Sequence, residues 1–268
     1  MFSSAVLLGM IALGWGSPLE AAGAARPGAR VIGGSVTKIQ LFPYMVSVRA
    51  STVVRANPSS PNTEEHRCGG TIISKDWVLS TTTCMDTFMN AFPTVWLRAG
   101  NTNGNIGVKY DVAKIIEHPG FKYQGDIPVN DVSLVKTSKS ITFTASVKAV
   151  TLAPANLVLK AGSVVRLVGW GLTTIYGEPP TVLSDVQMET LADKECSQLY
   201  GTVAGTFCAG TLTGTKGACD GDHGGPLIYN NEQVGLLSWG NSCGRKNMPE
   251  GYTSVAHFRA WIKTETGV

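Results

Sequence analysis

Charged side chains are scarce in this sequence, and their scarcity limits what the protein can bind. Asp, Glu, Lys and Arg make up 15% of the 268 residues, and the formal net charge is only +3. The charges are not gathered into runs of one sign. Binding to nucleic acid or to an anionic membrane surface needs such a concentration of basic residues. We therefore expect neither nucleic acid nor a membrane as a partner.

A long apolar run is also missing, although a short one lies near the start. Residues 5–16 (AVLLGMIALGWG) are too few to span a bilayer, which takes about 20 residues, and no Lys or Arg precedes them. Small residues follow at 21–25 (AAGAA), of the kind that a signal peptidase accepts. We interpret residues 1–22 as a signal peptide, which predicts a secreted, extracellular protein. An interfacial anchor or a buried helix is the alternative for this run.

Closely spaced cysteine pairs are absent too. None of the six cysteines forms a Cys-x-x-Cys motif, and this spacing is the one that zinc sites use most often. We expect no metal and no cofactor. In a secreted protein the default fate of cysteines is disulfide formation, although the sequence alone leaves many pairings open.

The chain contains no internal repeat, low-complexity tract or Pro-rich linker. Residues 42–49 (FPYMVSVR) alternate in the way that is typical of a strand, and similar short segments recur. Residues 257–264 (HFRAWIKT) instead have the period of an amphipathic helix. Short strands throughout, with one helix at the end, predict an all-β fold of paired barrels.

Two long polar loops, residues 55–65 and 172–181, contain prolines and several turn-forming residues. Stiff loops lose less conformational entropy when they bind a partner, so these loops are candidates for a binding surface. The alternative is that both are ordinary, tolerant surface loops.

The most informative stretch is residues 217–226 (GACDGDHGGP). Its glycines let backbone N–H groups crowd around one point, as an oxyanion requires, and let a substrate backbone approach closely. The stretch resembles the nucleophile loop of chymotrypsin-fold (trypsin-like) serine proteases, which reads Gly-Asp-Ser-Gly-Gly-Pro. In this chain His223 stands at the position of the serine.

The other two members of the catalytic triad have matching segments. Residues 77–84 (WVLSTTTC) resemble the family's Trp-Val-Leu-Thr-Ala-Ala-His-Cys, so Thr83 stands where the general base would be. Residues 130–136 (NDVSLVK) resemble the segment that carries the triad aspartate, and Asp131 retains it.

The start of the mature domain is similar to the family's activation site. Residues 30–34 (RVIGG) resemble the segment that is cut after a basic residue. In the family the new amine, here that of Val31, pairs with the aspartate before the nucleophile, here Asp222. This resemblance implies a short propeptide at 23–30 and a protease-homologue domain at 31–268.

The resemblance implies the architecture and the disulfides. It predicts two packed, six-stranded antiparallel Greek-key β-barrels, the first at 31–145 and the second at 146–255, followed by the C-terminal helix at 257–264. The implied disulfides are Cys68–Cys84, Cys196–Cys208 and Cys219–Cys243.

The resemblance also assigns roles in substrate binding. The oxyanion donors are the amides of Gly221 and His223. The side-chain pocket is formed by Gly217, where a carboxylate would select Lys or Arg, and by Glu250, where the family has a small glycine. Glu250 either fills this pocket or turns to solvent. The remaining pocket positions are Ser238, Trp239 and Gly240.

Acyl transfer needs a hydroxyl nucleophile, a base within reach and an acid that orients the base. With the first two replaced, the resemblance implies a catalytically inactive homologue (a pseudo-protease) that acts as a monomer by binding protein. One alternative is a non-catalytic cofactor of a protease cascade. Another is a hydrolase with Thr83 as nucleophile, His223 as base and Asp131 as the acid.

Two further segments indicate a subfamily. Residues 194–200 (KECSQLY) and 243–246 (CGRK) are similar to mite group 3 allergen proteases, whose inactivated paralogues are associated with parasitic mites. This similarity implies host or regulatory proteins as partners, with complement components among them, and interference with host defence.

Overall fold

The computed structural model describes residues 31–52, 63–91, 95–174, 177–178, 180–240 and 243–268. The predicted signal peptide and propeptide lie outside these residues, as does most of the loop at 55–65. Within the described ranges no helix is long and apolar enough to cross a membrane.

The strands are short and mostly antiparallel. In chain order they are β1 (Ser35–Val36), β2 (Met45–Thr52), β3 (Thr63–Ile72), β4 (Trp77–Ser80), β5 (Val95–Ala99), β6 (Val108–Glu117), β7 (Lys122–Gln124), β8 (Ile127–Val129), β9 (Ser133–Thr137), β10 (Thr151–Leu152), β11 (Val164–Gly169), β12 (Ser184–Thr190), β13 (Thr206–Gly210), β14 (Pro226–Tyr229), β15 (Glu232–Trp239) and β16 (Glu250–Ser254). The helices are α1 (Thr82–Ala91), α2 (Asp193–Tyr200) and α3 (Val255–Thr266), with a short 3-10 turn at Ile39–Leu41.

The first barrel closes in the order β2-β3-β4-β9-β6-β5. Alternate residues of a strand point to one face, and on β2 this places Val46, Val48 and Ala50 inside the barrel. They share one apolar cluster with Leu97 of β5 and Val135 of β9. The burial of these side chains closes the sheet on itself, because the apolar face of every strand then points to one interior.

The second barrel is built from β11 to β16. The strands follow the order β12-β11-β14-β15-β16-β13, and pairing of β12 with β13 closes the ring. β1 adds antiparallel to β12, and β10 runs parallel to β15. Both barrels are thus six-stranded, and the predicted fold is confirmed.

The helices were predicted only in part. The C-terminal helix is confirmed as α3, which begins two residues before and ends two residues after the predicted range of 257–264. Ser254 caps its start, and Gly267 ends it with a left-handed φ of 78°. The prediction of a single helix was incomplete, since α1 and α2 also form. No residue of α2 is buried, so it has no apolar face whose period the sequence could display.

The disulfides are Cys68–Cys84, Cys196–Cys208 and Cys219–Cys243, as the resemblance implied. The first ties β3 to α1, and the second ties α2 to β13. The third holds the glycine-rich stretch 217–226 to the segment that follows β15. Three disulfides fit an oxidising, extracellular environment.

The two barrels meet at a close backbone approach near β3 and β14. The amide of Gly69 donates to the carbonyl oxygen of His223 at 2.8 Å. A Cβ atom at Gly69 would lie 2.7 Å from the Cα atom of Gly225, so glycine is required here. The hydroxyl of Thr71 also donates to the side chain of Gln233 at 2.7 Å. These contacts fix the separation of the barrels and thereby the width of the cleft between them.

Candidate functional site

Thr83, which the resemblance places at the general-base position, lies in the first turn of α1. Its main-chain N–H donates to Asp131 Oδ1 at 2.8 Å, and its hydroxyl donates to Asp131 Oδ2 at 2.8 Å. Its hydroxyl oxygen also lies 3.3 Å from Thr81 Oγ1. Asp131 therefore caps the N-terminus of α1, where a carboxylate is favoured by the free amides and the helix dipole.

Asp131 also connects the first barrel to the second. The hydroxyl of Ser238 on β15 donates to Asp131 Oδ2 at 2.5 Å, and the hydroxyl of Thr253 on β16 donates to the Asp131 carbonyl oxygen at 2.9 Å. Asp131 is only 1% exposed. Burial raises its pKa from 3.8 to about 6, although the hydrogen bonds from Ser238 and Thr83 pull it downwards. The Asp131 carboxylate thus accepts hydrogen bonds from the amide and hydroxyl of Thr83 and from the hydroxyl of Ser238.

The stretch 217–226 forms a tight double turn beside β15. The amide of Asp222 donates to Cys219 O at 3.0 Å, and the amide of Gly225 donates to Asp222 O at 2.9 Å. Gly221 and Gly224 have φ values of 94° and 74°, which L side chains rarely adopt. The glycines thus allow the turn that the resemblance predicts.

His223, at the position that the resemblance gives to the nucleophile, lies at the apex of this turn. Its ring is partly buried, and burial lowers its pKa below the ordinary value of 6.5. The charge of Asp220 and a hydrogen bond with the backbone of Gly240 act in the opposite direction. The stretch 217–226 contains no Ser, Thr or Tyr, so it offers no hydroxyl nucleophile.

The activation pair is brought to the same region. Val31 is 1% exposed and belongs to the larger apolar cluster, which contains residues of both barrels, and neighbouring Ile32 pairs with Gly217. Asp222 is fully buried, and its carboxylate accepts hydrogen bonds from the amides of Gly171 at 2.8 Å and Cys219 at 3.1 Å. Burial raises the pKa of Asp222 to about 7.

A second histidine, His66, contacts the turn at 217–226, and sequence reasoning missed it. His66 Nε2 lies 2.8 Å from the carbonyl oxygen of Gly221, and His66 Nδ1 lies 2.8 Å from Ser47 Oγ. A carbonyl can only accept, so Nε2 carries the proton and Nδ1 accepts from the serine. Burial lowers the pKa of His66 to about 4, which keeps this tautomer neutral. Only the pairing of β2 with β3 brings Ser47 near His66, and no sequence motif indicates it.

Glu250, which the resemblance places in the side-chain pocket, is buried. This residue is 1% exposed, and its Oε1 accepts a hydrogen bond from the amide of Ala218 at 3.2 Å. A Cβ atom at Gly217 would lie 2.5 Å from the same Oε1. Of the two expected positions of the Glu250 side chain, the structure has the buried one, in the space of the side chain that Gly217 lacks.

Trp239 forms the next wall. A Cβ atom at Gly251 would lie 1.9 Å from the Trp239 ring, so this glycine lets the indole settle against β16. The ring of Tyr200 meets it edge-on, with centroids 6.5 Å apart. The Trp239 side chain is 9% exposed, and its indole N–H has no hydrogen-bond partner among the described residues.

Beside these residues lies an open cavity of about 500 Å³ between the barrels, which we call the cleft. Its lining brings together most of the predicted site and further residues of both barrels: Arg67, Cys68, Thr83, Cys84, Tyr123, Asp126, Pro128, Asp220, Gly221, His223, Ser238, Trp239 and Gly240. The predicted positions that lie outside this lining are Asp131, Gly217, Glu250 and the pair Val31 and Asp222. In the described part of the chain no group of three or more His, Cys, Asp or Glu residues is placed to hold a metal ion.

The fold and the positions around the cleft define the class of protein, and comparison with known proteins gives the same result. Residues 31–262 match the family model named Trypsin. The chain therefore belongs to the trypsin-like serine protease family.

The relatives include a trypsin and transmembrane proteases. Trypsin delta of Drosophila melanogaster is 30% identical over 98% of this chain and 98% of its own length. Transmembrane protease serine 11G of Rattus norvegicus is 34% identical over 76% of this chain. Transmembrane protease serine 11A of Homo sapiens is 28% identical over 89%. This chain spans about half the length of the two transmembrane proteases, 50% and 56% respectively.

Proposed function

We propose that the protein is a catalytically inactive member of the trypsin-like family that acts by binding other proteins. The observation that carries this proposal is the set of groups that donate hydrogen bonds to the Asp131 carboxylate. In the catalytic arrangement this carboxylate orients an imidazole that removes a proton from a serine. Here its partners are the amide and hydroxyl of Thr83 and the hydroxyl of Ser238.

The rearranged alternative, with Thr83 as nucleophile and His223 as base, fits these contacts poorly. The Thr83 hydroxyl donates to the Asp131 carboxylate, whereas the rearranged arrangement needs this hydroxyl to donate to the His223 imidazole. The amides that would stabilise an oxyanion belong to the turn around position 223 and serve an attack from that position. Misplacement of a nucleophile by about 1 Å already costs about 100-fold in rate.

Retention of the scaffold supports a binding role. The three disulfides, the buried Asp222 and the tight turn at 217–226 preserve a rigid surface at the cleft. Rigid surfaces lose little entropy when they bind. We propose a secreted monomer whose partners are host or regulatory proteins, and the resemblance to inactivated mite proteases makes complement components the first to test.

The experiment has two arms. Purified mature protein is incubated with fluorogenic peptides that carry Arg, Lys, Phe or Ala before the scissile bond, and with a serine-directed fluorophosphonate probe. We expect neither turnover above the buffer rate nor labelling, whereas a trypsin control gives both. Turnover that Thr83→Ala abolishes would show a rearranged hydrolase and refute the proposal.

The second arm measures binding of immobilised protein to purified complement components, with serine-blocked trypsin as the matched control. Binding that the control lacks supports the proposed partner class. Equal binding by this protein and by the blocked trypsin would show that the partner recognises only features that the trypsin-like fold shares.

A further inference from the structure

We infer that a group of exposed lysines on the outer wall of the first barrel binds an acidic, extended segment of a protein partner. We call this group the lysine face and define it by Lys109 and Lys114 of β6, Lys136 of β9 and Lys139, which follows β9. These four residues lie outside the lining of the cleft. The inference rests on the proposed binding function and specifies the surface and the chemistry of the partner.

The register of three strands places two of these lysines side by side. On β4, β9 and β6, three residues in register belong to the large apolar cluster outside the first barrel or pack against it: Leu79, Leu134 and Ile116. Alternate residues of a strand point to the same face, so the row two residues along each strand also points outwards. That row consists of Trp77, Lys136 and Lys114. Lys114 and Lys136 are therefore direct cross-strand neighbours.

This pair of lysines is unfavourable when no ligand is bound. Residues directly opposite on antiparallel strands have Cα atoms about 4.5–5.5 Å apart, and like charges at such positions destabilise the sheet. The Lys136 ammonium lies 5.7 Å from the centre of the Trp77 ring. Both lysine side chains are exposed, and neither forms an ion pair with a described residue.

A second like-charge pair lies at the other end of β6. Arg98 of β5 is directly opposite Lys109. Arg98 forms a salt bridge with Glu64 at 2.8 Å. The Lys109 ammonium lies 4.3 Å from the centre of the Trp96 ring, and within the described ranges it has no carboxylate partner. Unfavourable local choices without an internal compensation are expected at functional sites, and the missing compensation here is a negative charge.

The spacing of the lysines favours an extended acidic peptide over a continuous polyanion. Lys109 and Lys114 are roughly 15 Å apart along β6, at about 3.3 Å per residue. Between them lies the exposed carboxylate of Asp111, and the amide of Ser138, which precedes Lys139, donates to the Asp111 carbonyl oxygen at 2.8 Å. Asp111 repels a uniformly charged chain. An extended peptide has alternate side chains roughly 7 Å apart, so it can place a neutral residue opposite Asp111 and acidic residues on either side.

The test measures binding of fluorescein-labelled peptides to the mature chain by fluorescence anisotropy. The acidic peptide consists of Glu-Ala repeats, and the matched neutral peptide consists of the same number of Gln-Ala repeats. We expect the acidic peptide to bind at least about tenfold tighter at about 0.05 M NaCl. Raising the salt to about 0.5 M should remove most of this difference, because exposed charges are then screened.

Two double variants locate the binding surface. Lys114→Gln/Lys136→Gln should weaken binding of the acidic peptide at least about tenfold, because it removes the central pair of the lysine face. Lys160→Gln/Lys194→Gln is the matched control, since it removes two exposed lysines of the second barrel and changes the net charge equally. We expect this control to bind the acidic peptide as the parent does.

The single variant Lys114→Glu separates a binding role from a structural one. It places a carboxylate opposite Lys136, so the urea concentration at the midpoint of unfolding should rise. The same variant should bind the acidic peptide at least about tenfold more weakly. A lower midpoint would show that Lys114 is retained for the fold and would overturn the inference.

The remaining outcomes separate this inference from the proposed function. Equal binding of the acidic and neutral peptides overturns the inference, and so does acidic-peptide binding that Lys114→Gln/Lys136→Gln leaves unchanged. Tighter binding of a heparin hexasaccharide or of phosphatidylserine vesicles would assign the lysine face to a glycan or a membrane and overturn the peptide as occupant. Turnover of the fluorogenic substrates would refute the proposed function, whatever the lysine face binds.

Discussion

Replacing Asp131 by asparagine should make the protein more stable at alkaline pH, although the same change inactivates catalysis in a working triad. The reason is that a buried carboxylate without a cationic partner is costly when ionised. Burial raises the Asp131 pKa from 3.8 to about 6. The folded state therefore binds the proton more tightly than the unfolded state does, and the stability that this group contributes is lost as the pH rises through about 6.

The magnitude follows from the shift in pKa. A difference of roughly 2 units corresponds to about 3 kcal/mol at pH 8, since each unit is about 1.36 kcal/mol. Below the unfolded pKa the carboxyl group is protonated in both states, so the difference is under about 1 kcal/mol at pH 4. We expect Asp131→Asn to gain about 1–3 kcal/mol at pH 8, or about 2–12 °C in Tm for a chain of this length, and little at pH 4.

The asparagine fits because its surroundings can adapt. Asp131 Oδ1 faces an amide donor, which an Asn carbonyl oxygen can satisfy, while Oδ2 faces the hydroxyls of Thr83 and Ser238. A hydroxyl donates or accepts according to its rotation, so both can accept from the Asn NH₂ group. Asp222 is the matched control, since its two oxygens face the amides of Gly171 and Cys219. In the Asp222→Asn variant the side-chain NH₂ group would point at a main-chain N–H, and this loss of a hydrogen bond costs about 1–3 kcal/mol.

The assay is denaturant unfolding with disulfides intact, followed by tryptophan fluorescence at pH 4 and pH 8. At pH 4, Asp222→Asn should be less stable than the parent and Asp131→Asn nearly equal to it. A loss of stability by Asp131→Asn at pH 8 would show that the carboxylate stabilises the fold and that our assignment of its cost is wrong.

Three further changes test the closed pocket and the activation pair. The double variant Thr83→His/His223→Ser restores the triad residue types, yet we expect little cleavage after Arg because Glu250 still fills the pocket; efficient arginyl hydrolysis would contradict this. Adding Glu250→Gly should open a neutral pocket and raise cleavage after Phe or Leu at least tenfold over the double variant, with no comparable gain after Arg. Cleavage at Arg30–Val31 should raise the stability of the fold at pH 8 by up to about 4 kcal/mol, because the new ammonium group of Val31 offsets the buried charge of Asp222. Without that ammonium group, the Asp222 pKa of about 7 makes the stability fall as the pH rises towards 7. Unfolding curves before and after controlled proteolysis check this, and equal curves would refute pairing.

Much of the fold could be predicted from the sequence because its signals are local. Strand alternation, turn-forming residues and the glycine-rich stretch 217–226 indicate the barrels and the loop that carries the site. Thr83 and His223 can be matched to positions of the family in the same way, since each lies inside a segment that resembles one of the family's. α2 was missed because its side chains are not buried, so no tertiary burial marks its period.

Contacts between distant segments were decided only by the tertiary structure. The sequence left Glu250 with two possible positions, and the packing of Gly217, Gly240 and Ala218 around it selected the buried one. Nothing local shows that the partly buried His66 contacts the carbonyl of Gly221, which is 155 residues away.

The sequence by itself determined which chemical groups are present, and the tertiary structure determined what they do. Asp131 is retained as a residue, but its role depends on Thr83 and on Ser238, which is 107 residues further along the chain. Likewise Asp126 and Asp220 come from different barrels and face one cleft only after both barrels close. Local propensity fixes strands and turns, whereas the surroundings of a charged group depend on which remote segments exclude water from it, and that is set by packing.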